Sequence, residues 1–122
     1  MNRREFVQGL GAMVTAGTVR QESRMYGLIG KMTAHPGQRD PLISLLLKST
    51  VEMPGCLSYV IAEDPAEPEA IWITEVWDNE ASWSASLQMP EVQAAITEAR
   101  PLIAGMGPQT ITMPVGGTGL PR

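Results

Sequence analysis

Between residues 70 and 78 the chain reads Ala-Ile-Trp-Ile-Thr-Glu-Val-Trp-Asp, its densest run of β-branched and aromatic residues. As a strand, this run sends Ile71, Ile73, Glu75 and Trp77 to one face and Trp72, Thr74 and Val76 to the other. Neither face is the polar comb of a half-exposed sheet. The pattern predicts a strand covered on both sides. Helices of the same chain supply one cover, and a second copy of the chain supplies the other.

The remaining elements follow from period and punctuation. Met25–Ala34 predicts a strand that His35-Pro36-Gly37 breaks. Gly27 and Gly30 inside it point to a close approach by a neighbouring group. Leu42, Leu45, Leu46 and Ser49 recur at helical spacing and predict a helix over Gln38–Glu52, capped by Asp40, with Pro41 in its first turn. Pro54-Gly55 stops it. Cys56–Glu63 alternates as a second strand, and the acidic, proline-bearing Asp64–Glu69 reads as a turn between antiparallel neighbours. After the 70–78 strand, Asp78 is a candidate cap for a helix that carries Trp83 and Leu87. Met89-Pro90 interrupts that helix, and a second piece runs to about Arg100, before Pro101. Gly105–Pro108 reads as a turn and Gln109–Val115 as a short last strand, with Ile111, Met113 and Val115 on one face. The order is strand, helix, strand, strand, helix, strand. It predicts an α+β, ferredoxin-like βαββαβ fold with a four-stranded antiparallel sheet and both helices on one face. Residues 25–117 form the domain, and 118–122 a flexible tail.

Met1–Arg24 stands apart. Arg3-Arg4-Glu5-Phe6-Val7 and the Gly/Ala/Thr-rich run that follows resemble a twin-arginine export signal without a good cleavage site. A plain N-terminal extension is the competing reading. The chain is accordingly expected in the cytoplasm or, if the signal is read, exported to the periplasm.

Composition narrows the function classes. With 43% hydrophobic and 18% charged residues, the 122-residue chain reads as one folded domain. A net charge of −4 with scattered Lys and Arg argues against a nucleic-acid partner. One Cys excludes an internal disulfide, and one His excludes a three-His zinc site. No apolar run nears the roughly 20 residues a membrane helix needs. There is no dinucleotide, phosphate-loop, nucleophile-elbow or zincin motif, so no cofactor and no metal are expected.

What remains is a pocket between diverging helix and strand ends. Trp77, Trp83 and Tyr59 can line a flat apolar slot for an aromatic ligand, with Ile73 beside them; ordinary core packing is the plainer role for each ring. Glu75 lies inside a covered strand and must be paired or hydrogen-bonded. A structural ion pair with Lys31 or Arg100 is one expectation for it, and a base of raised pKa the other. Arg100, at a helix end, can reach a phenolate or carboxylate, or stay solvated. His35 sits in a loop and Cys56 reads as a small buried hydrophobe.

Five pieces resemble the antibiotic biosynthesis monooxygenase family, and most of all its quinol monooxygenases. They are Met25–Lys31, Pro36–Asp40, Met53–Tyr59, the Glu75-Val76-Trp77 strand end, and Pro101–Gly105. The resemblance spans about Met25 to Gly117. It implies a dimeric α/β barrel, that is, a homodimer joined sheet to sheet. It also implies cofactor-independent oxygenation of a small aromatic quinol or phenol by O2. On that reading Trp77, Glu75 and Arg100 are the catalytic candidates, and Tyr59, Trp83 and Ile73 touch substrate. Many relatives carry a His near the position of Trp83, which this chain lacks. Haem binding is therefore the weakest extension of the resemblance. A non-catalytic dimeric module that binds a small hydrophobic ligand is the alternative function.

Overall fold

The computed structural model describes residues 24–121; the segment carrying the export-signal reading lies outside them, apart from Arg24. Four strands form one antiparallel sheet in the order β2-β3-β1-β4. They are β1 (Tyr26–Ala34), β2 (Cys56–Glu63), β3 (Ala70–Trp77) and β4 (Ile103–Thr112). Helix α1 (Arg39–Ser49) joins β1 to β2. Helices α2 (Glu80–Ser86) and α3 (Pro90–Ala99), followed by a single 3-10 turn, join β3 to β4. This is the split βαβ arrangement expected from the element order.

Register fixes which side chains meet. Leu28, Glu75 and Tyr59 stand in one row across β1, β3 and β2, and Tyr26, Trp77 and Cys56 in the next. Directly paired residues share a face. One face carries the helices. The other carries Ile29, Lys31, Val60, Trp72, Thr74 and Val76 and has no helix over it among the described residues; Ile29, Val60 and Trp72 are 38%, 52% and 39% exposed.

Several boundaries differ from the sequence expectation, each for a local reason. The α1 N-cap is Gln38, without a side-chain cap bond, and Asp40 lies within the first turn. The helix ends at Ser49, where the Ser49 and Thr50 hydroxyls donate back to the carbonyls of Leu45 and Leu46. The α2 cap is Asn79, whose side chain accepts from the Ser82 amide at 2.8 Å, in place of Asp78. The segment Gly105–Pro108, expected as a turn, is part of β4. Pairing with β1 overrides its turn chemistry, and β4 is an edge strand, where a proline costs no ladder bond on its open side.

Two features lock the ends of the sheet. The Arg39 guanidinium donates to the carbonyls of Asp64, Glu67 and Ala70 at 3.2–3.4 Å, tying α1 to the β2–β3 turn. Gly27 answers the close-approach reading: a Cβ there would collide with the Thr112 side chain and meet Pro114 Cγ at 3.0 Å, so the neighbour is the end of β4.

Candidate active site

The covered face of the sheet holds two core clusters. An aliphatic one gathers Ala34, Leu42, Ile71, Ile73 and Ala99, with Tyr59, Ile61, Leu45 and Leu46 against it. An aromatic one gathers Tyr26, Leu28 and Trp77, with Met53, Cys56 and Trp83 against it. Strand period explains the division. On this face of β3, Ile71 and Ile73 serve the first cluster and Trp77 the second. The residue between them is Glu75.

Glu75 is half-buried, and its carboxyl pKa is raised by burial, against the lowering pull of the Trp77 N–H. Trp77 Nε1 donates to Glu75 Oε1 at 2.9 Å. Neither expected ion pair forms. Lys31 lies on the opposite face and bridges Glu67, and Arg100 is exposed at the end of α3. Among the described residues Glu75 Oε2 has no hydrogen-bond partner, and no buried side-chain oxygen is left unpaired, so this atom reaches solvent-accessible space. The carboxyl thus has one held oxygen and one open one.

Tyr59 faces Glu75 directly across the β2–β3 pair. Burial, then the charge of Glu75, then Cys56, push its phenol further above the usual value. It therefore stays a neutral hydroxyl, able to donate. The Cys56 thiol is also raised, by burial first. A carboxyl able to exchange a proton, paired across the sheet with a tyrosine that keeps its own, suits a ligand that presents a weakly acidic O–H.

The expected site residues are thus distributed. Trp77, at 1% exposure, is enclosed in the aromatic cluster with Tyr26 and Leu28. Trp83 stacks on Tyr26 with ring centroids 5.3 Å apart and planes tilted by 39°. Tyr59 and Ile73 belong to the aliphatic cluster, and Arg100 joins neither. Tyr26 was not anticipated. Its part depends on register, which sets it opposite Trp77, and a single sequence carries no signal for that pairing.

Gly55 holds the aromatic end together. Its φ of +85° suits glycine, and a Cβ there would lie 2.5 Å from Ser82 Cβ. The entry to β2 therefore packs hard against the start of α2, and both Cys56 and Trp83 pack on the Trp77 cluster. Among the described residues, no group of three His, Cys, Asp or Glu side chains converges as a metal site, and no helix is long and apolar enough to cross a membrane.

Comparison with known proteins places this geometry. The family model for antibiotic biosynthesis monooxygenase matches residues 25–98. A crystal structure from Chloroflexus aurantiacus J-10-fl, provisionally named an antibiotic biosynthesis monooxygenase, is 60% identical. It superposes with a TM-score of 0.77, covering 80% of this chain and 99% of that one. PA3566 from Pseudomonas aeruginosa shares 18% identity at a TM-score of 0.68, covering 78% of this chain and 98% of its own. SnoaB from Streptomyces nogalater, a cofactor-independent oxygenase crystallised as a point mutant, shares 12% identity at 0.66, with 78% and 97% covered. The last two likenesses speak to the fold alone. None of the curated proteins matches the chain.

Proposed function

The chain belongs to the antibiotic biosynthesis monooxygenase family, and on that footing we propose that it is a cofactor-independent monooxygenase. Its substrates are a small aromatic quinol or phenol and O2. The observation that carries this reading is Glu75: a half-buried carboxyl of raised pKa, one oxygen held by an indole and the other open, on the residue paired across the sheet with Tyr59. SnoaB, of the same fold, is a cofactor-independent oxygenase, which supports the reaction class.

In the proposed reaction Glu75 takes the proton of the bound quinol. The electron-rich anion passes one electron to O2, and the two radicals join as a ring peroxide. Glu75 returns its proton to the peroxide, which loses water and leaves a quinone that keeps one atom of the O2. Tyr59 orients the ring and donates to its oxygen as negative charge spreads over it. The protein contributes desolvation, orientation and proton transfer.

The proposed assembly is a homodimer joined through the open sheet face. Ile29, Val60, Trp72 and Val76 form an apolar band there, and bands of this kind mark interfaces.

The test compares aerobic with anaerobic incubation of the protein with a panel of hydroquinones. Oxygen-dependent quinone formation above the no-protein rate is the expected result, with Glu75→Gln slower by roughly 10²–10⁴-fold, the usual worth of a placed base. Tight binding without turnover supports a ligand-binding module instead. Turnover that ignores either oxygen or Glu75→Gln overturns the proposal.

A further inference from the structure

The resemblance makes Trp77 a catalytic residue, yet its ring is 1% exposed and walled by Tyr26 and Leu28. A ring so enclosed offers a ligand no face to stack on. Its one polar atom, Nε1–H, points at Glu75 Oε1, two residues back on the same strand face, at 2.9 Å. Same-face neighbours along a strand stand roughly 7 Å apart at the backbone. The carboxylate is therefore drawn along β3 toward the indole. This contact settles which oxygen is occupied and which is left for another molecule.

We propose that Trp77 is a positioning residue that acts through Glu75: its indole N–H holds Oε1, leaves Oε2 open, and sets the proton affinity of that open oxygen. The role rests on the function proposed above, in which Glu75 is the base, but the tether itself can be tested without turnover.

The surroundings leave the indole as the principal polar control. From β2, Tyr59 and Cys56 are the titratable neighbours, and both act electrostatically with Glu75. On β1, Leu28 is uncharged and Tyr26, opposite Trp77, is a phenol; on α2, Trp83 is uncharged and Glu80 is the acid of the first turn. Arg39 of α1 is engaged with the β2–β3 turn and with Glu63. Asp40 and Lys48 of α1 are exposed, and no ion pair among the described residues reaches Glu75. A donor to the ionised carboxylate favours the charged form. Removing it must weaken the acid and narrow the pH range in which Oε2 is free to accept a proton.

The first measurement uses the unaltered protein. The indole N–H resonance of Trp77 is followed by NMR against pH, assigned with Trp77→Phe. It should titrate, with a midpoint above that of an ordinary carboxylate, and the titration should vanish in Glu75→Gln. A flat indole signal, or one that titrates unchanged in Glu75→Gln, overturns the proposal whatever the enzyme does. The second measurement is the pH profile of turnover in Trp77→Phe. The rising limb should move to higher pH, with about a tenfold loss on the acid side that closes to within threefold at the alkaline plateau. Loss of a merely structural ring lowers the whole profile without moving its midpoint, and that result also overturns the proposal. If no quinol is turned over yet the indole titrates with Glu75, the function proposed above fails and the tether stands.

Discussion

Two tryptophans of β3, one on each face, each donate to a carboxylate, and the two carboxylates behave in opposite ways. On the covered face Trp77 Nε1 donates to Glu75 at 2.9 Å, and the carboxyl pKa is raised. On the open face Trp72 Nε1 donates to Asp64 at 2.8 Å, and the carboxyl pKa is lowered. The indole pulls the same way in both. The surroundings decide the outcome. Asp64 collects the indole N–H and the amides of Ala66 and Glu67 at the surface. Glu75 has the indole alone, and burial outweighs it. Asp64 is accordingly a fixed anion that shapes the β2–β3 turn and holds Trp72, whose ring also lies 5.4 Å from the Lys31 ammonium. Glu75, its pKa raised by burial, gives up its proton at higher pH than an ordinary carboxyl. On the proposed function, the difference between a structural and a reactive carboxylate lies in how many donors each has and how much water it keeps.

The sharpest way to break this contrast is to delete the two rings. Trp77→Ala should cost roughly 3–5 kcal/mol of stability in urea denaturation, as full truncation of a core aromatic does. Trp72→Ala, from a ring 39% exposed, should cost the folded monomer much less. Equal losses would mean that the open face is as tightly packed as the covered one. This cost also makes Trp77→Ala a poor probe of activity, since it empties the core beneath the site; Trp77→Phe is the better one.

Trp72 should instead matter between copies. An apolar ring already oriented by Asp64 and Lys31 loses little freedom on being covered. Trp72→Ala should therefore weaken self-association by roughly 30-fold or more, the scale of an interface hot spot of about 2 kcal/mol. Sedimentation velocity over a concentration series reads this directly. Association unchanged by the substitution would remove the open face as the contact.

Most of this architecture is legible in residue order. The alternation of Ile71, Ile73, Glu75 and Trp77 against Trp72, Thr74 and Val76 gives the two faces of β3, and β2 appears with its observed bounds, Cys56–Glu63. Legibility fails where tertiary pairing overrules local chemistry. Gly105–Pro108 has the composition of a turn, yet β1 recruits it into β4. The site was legible as a set of residue types and less so as an arrangement. Glu75 announces itself because a carboxylate in a covered strand needs a partner. That the partner is Trp77 rather than Lys31 or Arg100 depends on side-chain direction along one strand. That Tyr26, rather than Tyr59, meets Trp83 depends on register.

A subtler contrast lies in how stability follows pH. The native pKa of Glu75 is raised above its unfolded value of about 4.3, so between the two the native state holds the proton more often. The wild type should gain stability over Glu75→Gln as pH falls through the raised native value, and stop gaining below about 4.3. Urea midpoints of both proteins from pH 4 to 8 check this. A difference that does not vary with pH would show that Glu75 titrates as it does in the unfolded chain.

Asp64 should give the smallest effect, with the opposite sign. Its native pKa lies below the unfolded value of about 3.9, so its contribution is complete above that value and fades as pH falls through the native one. The wild type should therefore be ahead of Asp64→Asn at neutral pH and lose that lead only in acid. The lead is small because the group is at the surface, where solvent and salt screen it. The substitution also separates two roles. An asparagine carbonyl can still accept from the Ala66 and Glu67 amides, so the turn should hold. The asparagine's amide nitrogen, standing where Oδ2 now accepts the Trp72 N–H, has no lone pair to offer it. Asp64→Asn should thus barely change the urea midpoint at pH 7, yet weaken self-association by freeing the Trp72 ring. Loss of fold stability without loss of association would mean that Asp64 serves the turn alone, and that the open-face pair does not prepare a contact at all.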